Sequence, residues 1–342
     1  MKRVSIKDVA REAGVSITTV SRALNGYPDV SDKTRRKVQA VVEQLDYAPD
    51  INARSLGGKA ETTIALLTSE LTPTNESGFV YGLISGLFQE CSELGCEFML
   101  LATNTGNQEK LSFLQLCKKK NLNGLVVTGL KIDDPYYHEI LDSDIPCAII
   151  DMQVRGKKKC NITVDNIQAS REAVNYLVSL GHSKIGMING GKLADVSGQR
   201  YAGYVSALLD AGIALQLDYA RHCDFMEDVA YEQTMELLKT YPEITALFCA
   251  SDLMALGALR AIEEMGMQAP EDISVIGFDD IPVAKYVYKG VTTVRQSPMR
   301  MGIEGGRAVW NMLQGNPVES KIILPHELKI RGTTGPVRSD RT

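Results

Sequence analysis

The sequence predicts a small all-α head joined through a short hinge to a larger two-lobed α/β core with parallel sheets. Three observations predict it. Residues 5–45 place apolar side chains at helical spacing between serine starts and glycine or proline stops. From Thr63 onward, short apolar runs alternate with helical stretches. The charge also changes between the two parts. Residues 1–60 carry 11 Lys and Arg against 7 Asp and Glu, whereas the rest carries 26 against 35.

In the head, Ser5 with Asp8 has the spacing of a capping box, and Ile6, Val9, Ala10 and Ala13 follow as one apolar stripe. Gly14 suits the left-handed turn that ends this helix, and Val15 can plug that turn. Ser16 caps a second helix, Ile17 to Leu24, with Val20 and Leu24 facing inward. Asn25-Gly26 and Pro28 end it. Ser31 caps a third, with Val38, Val41, Val42 and Leu45 as its stripe. Two short helices across a glycine turn, completed by a third, form the helix-turn-helix plan, whose second helix enters the major groove of DNA. Its outward residues include Ile17, Thr18 and Arg22. Arg22 can form a bidentate contact with a guanine edge, Thr18 offers a hydroxyl or a methyl contact, and Ile17 offers apolar contact. Ser16, Thr19, Asn25, Ser31, Thr34 and Arg35 are candidates for phosphate contacts, which fix register without reading sequence. A basic head on an acidic body fits this reading.

The run IKDVAREAGVSITTVSRALNGYPDVSDKTRRKV resembles the N-terminus of the LacI/GalR family of bacterial transcriptional regulators. The likeness continues through LDYAPDINARSLGGK and more loosely along the chain. The resemblance implies that Ile17, Thr18 and Arg22 read bases and that Leu56 wedges into the minor groove. Pro49 and Gly57-Gly58 bracket Asp50–Leu56, a stretch too short for a stable helix alone in water. A hinge helix there should order only against DNA or a second copy, and its lone apolar Leu56 suits a side chain that unstacks a base step. Gly57 and Gly58 depart from the better helix formers common in the family, so hinge order should lean harder on DNA here.

In the core, the apolar runs are TIALLTS, EFMLLAT, GLVVTGL, PCAIID, KIGMING, ALFCAS and ISVIGFDD. Helices are expected near 78–94, 107–120, 134–142, 197–211 and 252–265. Two such α/β units leave a cleft beyond the carboxyl ends of their strands. The resemblance implies a periplasmic-binding-protein-like core with crossing connections, which match 291–296 and 320–331. The expected divisions are a head at 1–48, a hinge at 49–60 and a core at 61–342. Within the core, the N-lobe takes about 61–160 and 297–324 and the C-lobe about 161–292 and 325–335.

By resemblance, effector contacts fall on Asp151, Arg200, Phe225, Ser251, Asp279 and Gln296. Carboxylates accept from hydroxyls, Arg200 donates and Phe225 offers a flat face, a set that suits a sugar. Ser251 stands where the family often has Asn. The loop SELTPTNESGF is longer than usual, so Ser77 and Phe79 are expected to wall a pocket for something larger than a monosaccharide.

Several other classes find little support. No 18-residue apolar run exists, and the N-terminus lacks the apolar run of a secretory leader, so a cytoplasmic protein with no membrane partner is expected. The seven cysteines form no C-x-x-C pair, and the four histidines do not cluster with them, so neither a metal nor a cofactor is expected. No nucleophile–base pair emerges, so an enzyme is not expected. Asp279-Asp280 is a weak paired-carboxylate candidate, Asp252 is expected to cap a helix, and Lys157–Lys159 and Lys118–Lys120 are expected to be solvated. The expectation is a repressor that binds a near-palindromic operator as a homodimer and answers to a sugar or oligosaccharide. The final stretch TTGPVRSDRT carries no heptad repeat that would make a tetramer. The alternatives are a cytoplasmic sugar-binding protein without regulatory DNA binding and a co-repressor-dependent regulator answering to a purine or phosphoprotein.

Overall fold

The computed structural model describes residues 4–24, 27–45, 47, 62–69 and 78–338. The chain divides after Thr62 into two compact units.

The first unit holds helices α1 (Ile6–Ala13), α2 (Ile17–Leu24) and α3 (Asp32–Gln44). Asp8 accepts from both the backbone N–H of Ser5 at 3.0 Å and its hydroxyl at 2.6 Å, fixing the start of α1. Gly14 turns the chain at φ +62°, a conformation costly for any residue with a Cβ. Ser16 and Ser31 accept from the N–H groups of Thr19 and Thr34, three residues on, which satisfies helix-end donors at the starts of α2 and α3. Val9, Ala10, Ala13, Val20, Val38 and Val41 close the core, joined by Ala23, Val30 and Tyr47. Leu24, Val42 and Leu45 pack at its edge.

The second unit contains two six-stranded sheets, each flanked by helices. In chain order the first lobe brings β1 (Thr63–Ser69), α4 (Gly78–Leu94), β2 (Glu97–Thr103), α5 (Thr105–Lys110) and α6 (Phe113–Lys120). It continues with β3 (Gly124–Thr128), α7 (Pro135–Asp142), β4 (Cys147–Ile150) and β5 (Lys159–Val164). The second lobe brings α8 (Asn166–Ser179), β6 (Ile185–Asn189), α9 (Asp195–Asp210), β7 (Ala220–His222) and α10 (Glu227–Thr240). It continues with β8 (Ala246–Cys249), α11 (Asp252–Glu264), β9 (Ser274–Asp279) and β10 (Thr292–Arg295). The chain then returns through α12 (Pro298–Leu313) and β11 (Lys321–Leu324) before ending with β12 (Glu327–Lys329). Strand order is β11-β5-β4-β3-β1-β2 in one sheet and β12-β10-β9-β8-β6-β7 in the other. Every pairing is parallel except β10 with β12. The chain therefore crosses between lobes at 164–166, 295–298 and 324–327.

The structure differs from expectation in several places. The helix expected at 107–120 is two, because Ser112 starts α6 with its own capping box to Gln115. Strand β5 extends the first lobe to Val164, past the change expected near 160. Lys159 is not solvated. Its ammonium is buried and donates to the carbonyls of Ser143 and Ile145 at 2.8 and 2.9 Å. Lys118, Lys119 and Lys120 are exposed, as expected.

Helix α12 returns to the first lobe and lies against α4. The Met299 carbonyl occupies the place where a Cβ on Gly86 would sit, and the Leu83 carbonyl does so for Gly302. Glycine is thus required on both helices for this approach. Gly86→Ala is expected to cost about 1–3 kcal/mol through backbone displacement. A lowered urea midpoint, followed by fluorescence of the single tryptophan, Trp310 on α12, would register that loss.

Candidate functional site

A cavity of about 770 Å³ lies between the two lobes, at the carboxyl ends of their strands. Phe79, from the first turn of α4, and Asp151, just past β4, line it from the first lobe. Arg200 on α9, Phe225 after β7, Ser251 before α11, Asp279 ending β9 and Gln296 after β10 complete it. The structure therefore brings together seven of the eight residues expected around an effector. The eighth, Ser77, lies outside the described residues.

Arg200 is buried at the centre of this set. Its Nε donates to Asn166 Oδ1 at 2.9 Å, Nη1 donates to the Ala250 carbonyl, and its Cζ sits 3.7 Å from the Phe278 ring centroid. Burial lowers its pKa, against the opposing pull of Asp279 and Asp151. Asp151 accepts from Thr163 Oγ1 at 2.6 Å and from Asn166 Nδ2 at 3.3 Å. Burial raises its pKa despite Arg200. Asp279 accepts from Gln296 Nε2 at 2.6 Å, and burial pushes it up to about 6, with Arg200 again opposing. The buried Gln296 Oε1 has no hydrogen-bond partner among the described residues, so it offers an acceptor to whatever fills the cavity.

The backbone is unusual at the same place. Asp151, Asp224, Phe225 and Asp279 all line the cavity and all have positive φ, from +48° to +118°. Such conformations are held by surrounding structure and gather where function demands a particular side-chain direction. Gly190 permits one of them. The Cζ and Cε2 edge of the Phe225 ring lies where a Cβ on Gly190 would be, so the ring packs against bare backbone.

One expectation is corrected here, and one weak candidate is set aside. Ser251, not Asp252, caps α11, accepting from the Met254 N–H at 3.2 Å. Asp252 is buried and instead accepts from the Ile281 N–H at 2.9 Å and Thr293 Oγ1 at 2.5 Å. Burial and the nearby Asp279 push its carboxyl well above the usual range. Asp279 and Asp280 do not act as a pair. Asp280 turns away from the cavity to Arg295 and Arg331, both at 2.6 Å, and these outweigh burial to hold its pKa low. Sequence reasoning missed Asn166, Thr163, Lys131, Lys192, Asp195 and His222, which support or line the site. Among the described residues no cluster of His, Cys, Asp or Glu could hold a metal, and no helix is long and apolar enough to cross a membrane.

On the head, Ile17, Thr18 and Arg22 are exposed on α2. The candidate phosphate hydroxyls sit at helix starts, with Ser16 against Thr19 at 2.8 Å and Ser31 against Thr34 at 2.9 Å. Arg35 donates to the carbonyls of Tyr27 at 2.9 Å and Val30 at 3.5 Å. Asn25 and Leu56 lie outside the described residues.

A helix-turn-helix unit and a two-lobed unit with a ligand-sized cavity in one chain define a ligand-responsive DNA-binding regulator. Residues 5–50 match the description "Bacterial regulatory proteins, lacI family", and residues 174–334 match "Periplasmic binding protein-like domain". The HTH-type transcriptional repressor PurR of Erwinia tasmaniensis is 33% identical over 98% of this chain and 99% of its own. Among solved structures, a lac repressor dimer bound to operator and the anti-inducer ONPF aligns with TM-score 0.84 at 28% identity, covering 98% of this chain and 100% of that one. A transcriptional regulator CelR–cellobiose complex aligns with TM-score 0.74 at 29% identity, covering 97% and 100%. The chain belongs to the lacI family of bacterial regulatory proteins. It is a DNA-binding transcription regulator and not an enzyme.

Two measurements test the site's electrostatics. Arg200→Met leaves the partly buried carboxylates of Asp151 and Asp279 without their cation and is expected to cost about 3–5 kcal/mol in urea unfolding at neutral pH. That loss should shrink as pH falls and the carboxyls take up protons. For Asp279 the folded pKa is raised, so its contribution to stability is complete below the unfolded-chain value and lost as pH rises through about 6. Core stability should therefore decline across that window by less in Asp279→Asn than in the parent chain.

Proposed function

We propose that this regulator is a cytoplasmic repressor whose affinity for a near-palindromic operator is set by a neutral, hydroxyl-rich ligand, a sugar of more than one ring. The observation that carries this reading is the cavity itself. It is large, it is walled by Phe79 and Phe225, and its lining mixes cations (Arg200, Lys131, Lys192) with carboxylates (Asp151, Asp195, Asp224, Asp279) and the spare amide oxygen of Gln296. Sugars match such sites because each hydroxyl both donates and accepts and each ring has an apolar face. The likeness to a CelR relative solved with cellobiose supports it.

Control of DNA binding follows from the lobes. The Ile132 N–H donates to the Leu193 carbonyl at 3.0 Å, and the Gln153 N–H to Asp195 Oδ2 at 3.0 Å. These bonds join the lobes directly. A ligand bonded to both lobes changes the free energy of closure, which biases the hinge and the heads. Two heads on one operator require a homodimer. Tyr81 and Phe88, one helical face of α4, expose large apolar area that suits a partner copy, and a lac repressor neighbour is a dimer. On DNA, Ile17, Thr18 and Arg22 face bases, while Ser16, Thr19, Ser31 and Thr34 meet phosphates.

The test has two stages. A thermal-shift screen of neutral disaccharides and trisaccharides identifies the effector. Calorimetric titration of that effector with and without operator then reads the coupling, which is reciprocal by necessity. The expected result is a difference of about 5- to 150-fold in effector affinity. Equal affinities would refute allosteric control.

A further inference from the structure

We propose that Asp29 is a positioning residue that aims Arg22 at a guanine and thereby sets the selectivity of the head. This rests on the reading of Arg22 as a base-contacting residue. The geometry is specific. Arg22 Nε donates to Asp29 Oδ1 at 3.2 Å, and Nη2 reaches Asp29 Oδ2 at 2.6 Å. The carboxylate thus grips the Nε edge of the guanidinium with both oxygens. The opposite edge, formed by Nη1 and the second N–H of Nη2, faces away from Asp29. That is the edge whose paired donors match N7 and O6 of guanine. The Tyr27 ring lies 4.9 Å from Arg22 Cζ and limits the plane in which the guanidinium can turn.

Asp29 is itself held in place. It lies on the turn between α2 and α3, where the Tyr27 N–H donates to the Arg22 carbonyl at 3.1 Å and the Val30 N–H to the Tyr27 carbonyl at 3.3 Å. Arg35 ties the same turn to α3 through the Tyr27 and Val30 carbonyls. Val30 is buried in the head's core. A fixed carboxylate therefore orients a long, flexible side chain before DNA arrives. Both partners are about half exposed in the free head, so the pair adds little to folding there. Its effect belongs to recognition, where an already oriented fork loses less freedom on bonding. The carboxylate also neutralises Arg22, which keeps that arginine from strengthening binding to phosphates in general.

The test uses the full chain and a half-site selected from a random duplex library, with each base pair then substituted in turn. Arg22→Ala should abolish the preference for guanine at one position. Asp29→Asn, which keeps the shape but drops the charge, should lower that same preference about 5- to 20-fold while binding to unrelated duplex DNA holds steady or strengthens. The salt dependence of unrelated binding should steepen, because one repelling charge per head is gone. Asp29→Glu should restore part of the preference. In an Arg22→Ala background, Asp29→Asn should change nothing further at that position. If Arg22→Ala alters no base preference, the assignment of Arg22 itself is wrong. If it does and Asp29→Asn leaves the guanine preference intact, only the positioning role fails. A parallel loss of specific and unrelated binding, together with a lower thermal midpoint of the head, would make Asp29 merely structural and overturn the proposal.

Discussion

The core is organised around a buried guanidinium. Arg200 is closed off from water, and an isolated charge there would be costly. Its hydrogen bonds to Asn166 and the Ala250 carbonyl, its stacking on Phe278 and the fields of Asp151 and Asp279 offset that cost. Those partners come from α8, the end of β8, β9 and the segment after β4, so one side chain fixes four strand-end segments drawn from both lobes. The positive-φ backbone at Asp151 and Asp279 fits this demand, since each carboxyl must face inward from a strand that would otherwise carry it elsewhere.

What the sequence revealed follows from how local the relevant physics is. Caps and periodic stripes are local, so α1, α2, α3, α4 and α11 were legible nearly to the residue. Strand-end residues were legible once the α/β alternation was seen, because such folds bind ligands there. Contacts that depend on distant partners were not legible. Lys159 reads as one of three exposed lysines until β5 pairs with β4 and carries its ammonium to the carbonyls at 143 and 145. Asp252 reads as a helix cap until β9 and β10 bring the Ile281 N–H and Thr293 to it. Asn166 is an ordinary helix-start residue in sequence, and only the fold turns it toward both Asp151 and Arg200.

The head shows the same economy at smaller scale. Ser16, Thr19, Ser31 and Thr34 already serve the starts of α2 and α3. A hydroxyl that accepts from a backbone N–H keeps further bonding capacity, so a capped helix start can also meet a phosphate. Arg35 is different, because its Nη2 is engaged by the Tyr27 and Val30 carbonyls. Its first role is to brace the turn between α2 and α3, and any phosphate contact must use the remaining edge of its guanidinium.

Allosteric control places a stricter demand on the cavity than affinity does. A ligand that binds two conformations equally well shifts nothing, however tightly it binds. The polar groups here meet that demand through their location. Asn166 stands at the 164–166 crossing and bonds Asp151 of one lobe and Arg200 of the other. Gln296 stands at the 295–298 crossing and bonds Asp279. A ligand that replaces or strengthens any of these bonds would act on the connections between the lobes. On the proposed reading, an effector held by Phe79 and Asp151 on one side and by Asp279 and Gln296 on the other would have an affinity that depends on closure, which is the property a regulator requires.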